Sequence, residues 1–292
     1  MLISSLETAQ RRDRVIAVGE FDGVHRGHVS VIGDADTVLT FEPHPRAVVG
    51  PTGAPDLLTT LDQKADLVQK LGVDELVVVN FNEAFSQMSP EDFVDEVLIK
   101  TLSCKTVRVG QNFRYGQGAK GTSETLASDG RFDAVVAEIL EWDGGPVSSS
   151  VIRDLIREGN LIRANDLLGH AFEMRGEVVH GAKRGRELGY PTANVRPASG
   201  CVVPAYGVYA ALANGIPAAA NLGIRPAIDD DDEVLLETHL LDWDGDLYGQ
   251  ELRVELLERI RPEANFDSLE ELKIAMAADC DQAREIVEAH AA

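Results

Sequence analysis

Cysteine is scarce in this chain of 292 residues: there are three, Cys104, Cys201 and Cys280, and no two stand in a C-x-x-C pair. Such spacing offers neither a zinc-ligand set nor a disulfide framework, and a reducing cytoplasm is the natural setting for thiols so placed. Long apolar runs are missing as well. No stretch reaches the roughly 18 apolar residues of a membrane span, and Met1-Leu2-Ile3 passes into polar sequence without a cleavable apolar core, so neither membrane spanning nor secretion is expected. Positive charge is in short supply: 27 Lys and Arg against 49 Asp and Glu leave a formal net charge of -22. A nucleic-acid binder needs a basic face, so no nucleic acid is expected as a partner. The acidic run from Asp229 to Glu233 reads as a solvated loop before it reads as a metal site. No internal repeat or low-complexity linker divides the chain. Its length suits two domains, each with its own core, and leaves a homo-oligomer open.

The first half alternates short apolar runs with helical patterns. Strands are expected near 14–18, 37–41, 75–80, 106–109 and 133–140, and helices near 60–71 and 90–100. That rhythm implies an α/β domain, a parallel sheet covered by helices, whose ligands bind beyond the carboxyl ends of the strands. Thr60 with Gln63 and Ser89 with Asp92 have capping spacing, Pro90 suits a first helical turn, and Gly72 suits a helix stop. A short helix is expected from Ser149 to Gly159. Beyond about residue 169 the texture becomes Gly-punctuated and β-rich, with runs at 173–180, 202–213, 216–222, 234–241 and 251–259, as in a β-barrel or sandwich. Asn214-Gly215 and Asp244-Gly245 are turn signals. A terminal helix capped by Ser268 and Glu271 should bury a stripe of Leu269, Leu272, Met276, Cys280, Ala283 and Val287. The domains are thus expected at 1–168 and 169–292.

The densest chemistry lies in Gly19-Glu20-Phe21-Asp22-Gly23-Val24-His25-Arg26-Gly27-His28, directly after the apolar run Arg14–Val18. A strand, a tight turn and a helix start place free N–H groups toward an anion, and Gly27 lets a phosphate come close. His25 and His28, three apart, can both hydrogen-bond a phosphate whose charge grows under nucleophilic attack. Further along, Thr192 and Asn194 stand two apart. On an extended segment their oxygens point the same way and can share one Mg²⁺ with nucleotide phosphates. Gly176, Gly181, Gly185 and Gly189, with Lys183, Arg184 and Arg186 nearby, could fold a loop over phosphate, although glycines also serve barrel corners.

With GEFDGVHRGH, TFEPHP, VGQNFRYG and VSSSVIR in the first half, and GEVVHGAKRGRELGYPTANV, PAYGVYA, NLGIRP and ETHLLDWDGDLYGQ in the second, the chain resembles the bacterial bifunctional riboflavin kinase/FAD synthetases in order and nearly throughout. The resemblance implies a Rossmann-like HxGH nucleotidyltransferase domain, with a parallel sheet, that joins FMN to the AMP part of ATP. It implies a second domain, a riboflavin-kinase-type β-barrel with a terminal helix, that phosphorylates riboflavin to FMN. ATP and Mg²⁺ would serve both steps, and FMN and FAD would be the products. His25 and His28 would be catalytic in the first domain, with Gly19, Phe21, Gly27, Ser149, Ser150 and Arg153 at the ATP phosphates; the two serines could also be simple caps. Pro43, His44, Asn112 and Phe113 would face the flavin, with His44 in a turn that its flanking prolines keep from becoming helix. In the second domain Glu237 would be the base, Thr192 and Asn194 the metal ligands, Gly176, Gly181, Lys183, Gly185 and Arg186 the phosphate contacts, and Arg261 a flavin neighbour. His239, beside Glu237, reads as structural.

Asn112 stands where members carry Asp or Asn and reads as a variant. The sequence departs from the family pattern in two places. Ala227 replaces the usual threonine. Only the residues from Val29 to Leu39 separate His28 from Thr40, where the family has a full helix and loop. With Gly33-Asp34 interrupting, barely one helical turn is expected over Val29–Ile32. Two other readings therefore stand beside the bifunctional enzyme: a riboflavin kinase with an inactive first domain, and a non-catalytic flavin-binding regulator.

Overall fold

A computed structural model describes residues 1–180, 190–225 and 233–291. The chain divides into two compact units, Met1–Ser149 and Ser150–Ala292.

The first unit is built on six parallel strands in the order β1-β4-β3-β2-β5-β8: β1 (Leu2–Ser5), β2 (Arg14–Val18), β3 (Thr37–Glu42), β4 (Glu75–Asn80), β5 (Cys104–Gly110) and β8 (Asp133–Ala137). The chain runs from β2 outward through β3 to β4, then returns to β5 on the other side of β2. The carboxyl ends of β2 and β5 therefore flank the switch point, where open α/β sheets bind ligands. Central strands are apolar on both faces, with Ile16, Val38, Leu39, Leu76, Val77 and Val107 fully buried. Helices α1 (Arg26–Ile32), α2 (Pro45–Val49) and α3 (Leu61–Lys70) join the early strands, and α4 (Glu83–Ser86), α5 (Pro90–Asp92) and α6 (Ser123–Ala127) follow. Two small hairpins lie outside the sheet, β6 (Arg114–Tyr115) with β7 (Gly121–Thr122) and β9 (Glu141–Trp142) with β10 (Gly145–Pro146). The Thr60–Gln63 capping box forms at the start of α3. The expected helix near 90–100 is a short α-helical turn, Pro90–Asp92, continued as π-helix over Phe93–Thr101.

Three expectations in this unit need correction. Helix α1 begins at Arg26 and spans seven residues, so His25 is its N-cap and the shortened segment holds nearly two turns rather than one. His44 caps α2, and Pro45 opens that helix, because proline lacks only an N–H that the first turn would leave unpaired anyway. Leu2 and Ile3, about half exposed, form the edge strand β1 by pairing with β4. So short an edge strand carries no periodic signal.

The second unit is a closed antiparallel barrel. Its strands are β11 (Phe172–Val179), β12 (Ala193–Pro197), β13 (Gly207–Ala213), β14 (Ile216–Arg225), β15 (Glu233–Leu240) and β16 (Glu251–Pro262), in the order β11-β12-β15-β14-β13-β16. The twelve-residue β16 pairs with both β11 and β13 and closes the ring. Strand β12, invisible in the composition of Ala-Asn-Val-Arg-Pro, pairs with β11 and β15. The Asn214-Gly215 hairpin forms with both residues at positive φ. The turns around Asp244-Gly245 fall instead at Asp242 and Gly249, the residues with positive φ, and 243–247 run between them. Helices α7 (Ser149–Glu158) and α8 (Leu161–Leu168) precede the barrel. Asn165 on α8 donates to the carbonyls of Leu256 (2.9 Å) and Leu257 (3.3 Å) and accepts from the Phe172 N–H (2.8 Å).

The terminal helix, Leu269–Ala291, packs Ala283 against Ala210, Ala219 and Leu241. Its buried stripe is shorter than expected. Leu269 is 68% exposed and the charged Asp279 is buried, because Arg261 of β16 grips Asp279 with two bonds of 2.8 and 2.7 Å. No helix among the described residues is long and apolar enough to cross a membrane.

Candidate active sites

In the first unit the turn after β2 is held from both sides. Thr40 Oγ1 donates to the Glu20 carbonyl (3.0 Å), and the Gly19 N–H donates to the Leu39 carbonyl (3.1 Å). The buried Asp22 carboxylate accepts from the N–H groups of Leu58 (2.9 Å) and Thr59 (3.1 Å), ahead of α3. Ser149 Oγ donates to the Asp22 carbonyl (3.0 Å). Phe21 (φ 50) and Val24 (φ 39) sit in the left-handed region, a conformation bulky residues rarely adopt, and both are buried. Backbone strain of this kind persists where the surroundings over-determine it.

His25 Nδ1 accepts from the His28 N–H at 3.2 Å. The hydrogen of a neutral His25 ring is thereby set on Nε2, the nitrogen able to donate to a phosphate. The two imidazoles stack at 3.5 Å between centroids, and the Phe21 ring stands edge-on to His28 at 5.4 Å. Gly27 permits this stack, since a Cβ there would lie 3.2 Å from the His25 ring. Gly19 lies likewise against the Phe21 ring, 3.0 Å from a Cβ built on it. Arg26 lies over the Trp142 ring at 4.1 Å.

Glu20 is half-buried, its Oε1 is buried without a hydrogen-bond partner, and burial pushes its carboxyl up to about 8 against the opposing pull of Lys64. Lys64 is itself buried and donates to Thr40 Oγ1 (3.2 Å).

The flavin candidates follow two other strands of the same sheet. Pro43, after a cis Glu42–Pro43 peptide, and His44 follow β3; the exposed Asn112 and half-buried Phe113 follow β5, with Phe113 stacked on Tyr115 at 5.7 Å. Ser150 and the buried Arg153 lie on α7, past the boundary between the two units.

In the barrel, Asn194 of β12, Glu237 of β15 and Asn221 of β14 are direct cross-strand partners, and so share one face in a row. Thr192 and Asn194 line one cavity of about 240 Å³ together with Trp243, Asp244, Asp246 and Tyr248. The segment before β12 is fastened by His239, whose Nδ1–H donates to the Pro191 carbonyl (2.8 Å) and whose ring meets Tyr190 edge-on at 5.4 Å. Gly176 lies inside β11, where a Cβ would run into the Arg196 carbonyl, so close backbone packing already accounts for it. Arg261 points its guanidinium at Asp279 rather than leaving it open to a ligand. Gly181, Lys183, Arg184, Gly185, Arg186, Gly189, Ala227 and the acidic run to Asp232 lie outside the described residues, as does the side chain of Glu233.

Several residues of these sites escaped the sequence reading. Asp22 sits inside the GEFDG string, where nothing local says that its carboxylate will accept from the N–H groups ahead of α3. Trp142 and Asp246 carry no local signal, and Asp244, read only as a turn residue, reaches the cavity through tertiary packing.

An α/β unit with paired imidazoles after its central strand β2, followed by a closed barrel whose cavity is lined in part by Thr192, Asn194, Asp244 and Asp246, has the form of a two-domain nucleotide-dependent transferase. Residues 7–151 match the FAD synthetase family and residues 168–287 match Flavokinase, the riboflavin kinase family. The chain is 37% identical over 291 residues to the bifunctional riboflavin kinase/FMN adenylyltransferase of Bacillus subtilis (strain 168), covering 92% of this chain and 91% of that one. It is 37% identical over 301 residues to the protein of the same name from Escherichia coli (strain K12), covering 97% and 96%. Among solved structures, one described as a macrolide-efflux protein from Streptococcus pneumoniae matches with a TM-score of 0.88 at 28% identity, over 97% of this chain and 99% of that one. The chain belongs to the bifunctional riboflavin kinase/FMN adenylyltransferase family.

Proposed function

We infer that this protein converts riboflavin to FMN and FMN to FAD, using ATP in each step. The observation that carries this reading is that one chain holds both families' domains and aligns nearly end to end with relatives named for both activities. We propose the functional boundary at 168/169, a reading supported by the start of the Flavokinase match at residue 168.

In the first domain a phosphate oxygen of FMN attacks the α-phosphorus of ATP, a new P–O bond forms, and the bond to the leaving pyrophosphate breaks. The nucleophile is already anionic, so positioning and charge stabilisation do the work. His25 Nε2–H and His28 donate to the α-phosphate oxygens. Gly19, Phe21 and Gly27 shape the approach, while Ser149, Ser150 and Arg153 take the pyrophosphate, supported by their place at the start of α7. Pro43, His44, Asn112 and Phe113 bound the flavin side, an assignment supported by their position beyond the carboxyl ends of β3 and β5.

In the second domain Glu237 accepts the proton of the terminal ribityl hydroxyl as its oxygen bonds to the γ-phosphorus and ADP leaves. Magnesium suits this site. Thr192, Asn194, Asp244 and Asp246 offer only hard oxygen donors around one cavity. Thr192 and Asn194 would hold the ion, which supplies charge neutralisation at the phosphates. Lys183, Arg186, Gly181 and Gly185 would contact phosphate, and Arg261, kept in place by Asp279, borders the substrate. A cytoplasmic setting fits the widely spaced free thiols.

Incubating the protein with riboflavin, ATP and Mg²⁺ and separating flavins over time tests the whole reading. FMN first and FAD second is the expected order. FMN accumulating without FAD would reduce the function to the kinase, and no product would leave a flavin-binding protein.

A further inference from the structure

Helix α1 carries His28 and is only seven residues long. Isolated helices of that length do not hold themselves together in water, and the last four carbonyls of any helix need partners from outside it. In α1 these are the carbonyls of Val29, Ser30, Val31 and Ile32. The Gly33 N–H donates to Val29 (2.9 Å) and the Ala35 N–H donates to Ile32 (2.9 Å). The other two carbonyls are served by a single side chain from another element. Arg108 of β5 donates through Nε to the Val31 carbonyl at 2.9 Å and reaches the Ser30 carbonyl through Nη2 at 3.5 Å. Its Nη1 pairs with Asp34 at 2.7 Å, which fixes the plane of the guanidinium. No basic residue occupies the last turn of α1 itself, so Arg108 also supplies the positive charge that a helix C-terminus favours.

Gly33 is matched to this arrangement. It has φ 51, and a Cβ there would overlap the Arg108 guanidinium. The glycine that ends the shortened helix thus also vacates the space the arginine occupies. Arg108 sits between Val107 and Val109, both fully buried, in a central strand where a charged residue needs a reason.

We propose that Arg108 is a positioning residue for adenylyl transfer: acting from β5 as the C-terminal cap of the seven-residue helix α1, it holds His28 against His25. The proposal rests on the assignment of FMN adenylylation to the first domain. Arg108 touches neither imidazole, so its effect is on the placement of His28. Misplacement of a reacting group by about 1 Å costs on the order of 100-fold in rate.

The test measures both activities of the full chain, with riboflavin phosphorylation as an internal report on the second unit. Arg108→Ala should lower kcat for FAD formation from FMN and ATP by about tenfold to 100-fold. KM for ATP and FMN should change by less than about threefold, the split expected of a transition-state effect. Arg108→Lys should recover part of the loss, since an ammonium can serve one carbonyl. Gly33→Ala should also lower kcat, because a Cβ there would overlap the guanidinium and would be strained at φ 51. Should Arg108→Ala fail to fold, Arg108→Lys, with a partial kcat loss at unchanged KM, decides the matter. An unchanged kcat in Gly33→Ala or in folded Arg108→Ala overturns the proposal, as does a loss expressed wholly in KM. A wild-type protein that makes no FAD overturns instead the assignment on which the proposal rests, so the two failures are distinct.

Discussion

The His28 ring is held by its neighbours, stacked on His25 at 3.5 Å between centroids and edged by Phe21. Replacing it with Ala removes a preorganised donor, so FAD formation should fall on the order of 100-fold or more while riboflavin phosphorylation is kept; separate assays of the two steps check this. Glu237→Gln should do the reverse, lowering phosphorylation by about 100-fold or more and sparing adenylyl transfer. Glu20 makes a prediction about stability. Its carboxyl ionises near 4.5 when free, but burial, with smaller contributions from Asp22 and Glu42 and opposed by Lys64, raises it to about 8 in the fold. Between those values the folded chain keeps a proton that the unfolded chain has lost, so stability falls as pH rises from about 4.5 to about 8. Glu20→Gln removes that dependence. Thermal melts should show little difference near pH 4.5 and a higher midpoint for the variant above pH 8.

At the scale of elements, the barrel depends on a few side chains that bind one element to the next. Asn165 serves three backbone groups, the carbonyls of Leu256 and Leu257 and the N–H of Phe172. Asn165→Ala leaves them without that partner, and the expected cost is about 1–3 kcal/mol. Chemical denaturation should show the loss, with FAD formation from FMN unaffected under native conditions. Helix α1 obeys the same logic in the first unit. Its seven residues persist through caps at both ends, His25 at the N-terminus and Arg108 at the other.

The chain holds both families' domains and folds as two compact units. The product of one is the substrate of the other, and FMN is a small diffusible molecule. A mixture of His28→Ala and Glu237→Gln proteins should therefore make FAD from riboflavin, although neither does so at a useful rate alone. Failure of the mixture, with each variant keeping its remaining activity, would mean that FMN does not pass through solution.

The strand-turn-helix at residues 14–32, the strands and capped helix of the first sheet, and the Asn214-Gly215 hairpin were legible in the sequence. Each rests on local causes: apolar runs, capping hydroxyls, and residues that tolerate positive φ. The paired histidines and Thr192 with Asn194 stood out as candidate chemistry because residue types at short spacing limit where side chains can point, whereas Glu237 was named only through the family resemblance. Tertiary structure alone decided the rest. Strand β12 exists because β11 and β15 lie on either side of it, and β1 because β4 offers an edge. Arg261 belongs to Asp279, and Arg108 to a helix more than seventy residues earlier, through contacts that no local pattern encodes. Hydrogen-bonding groups are satisfied by whatever the fold brings within about 3 Å, and over such sequence separations the chain alone does not say which group that is.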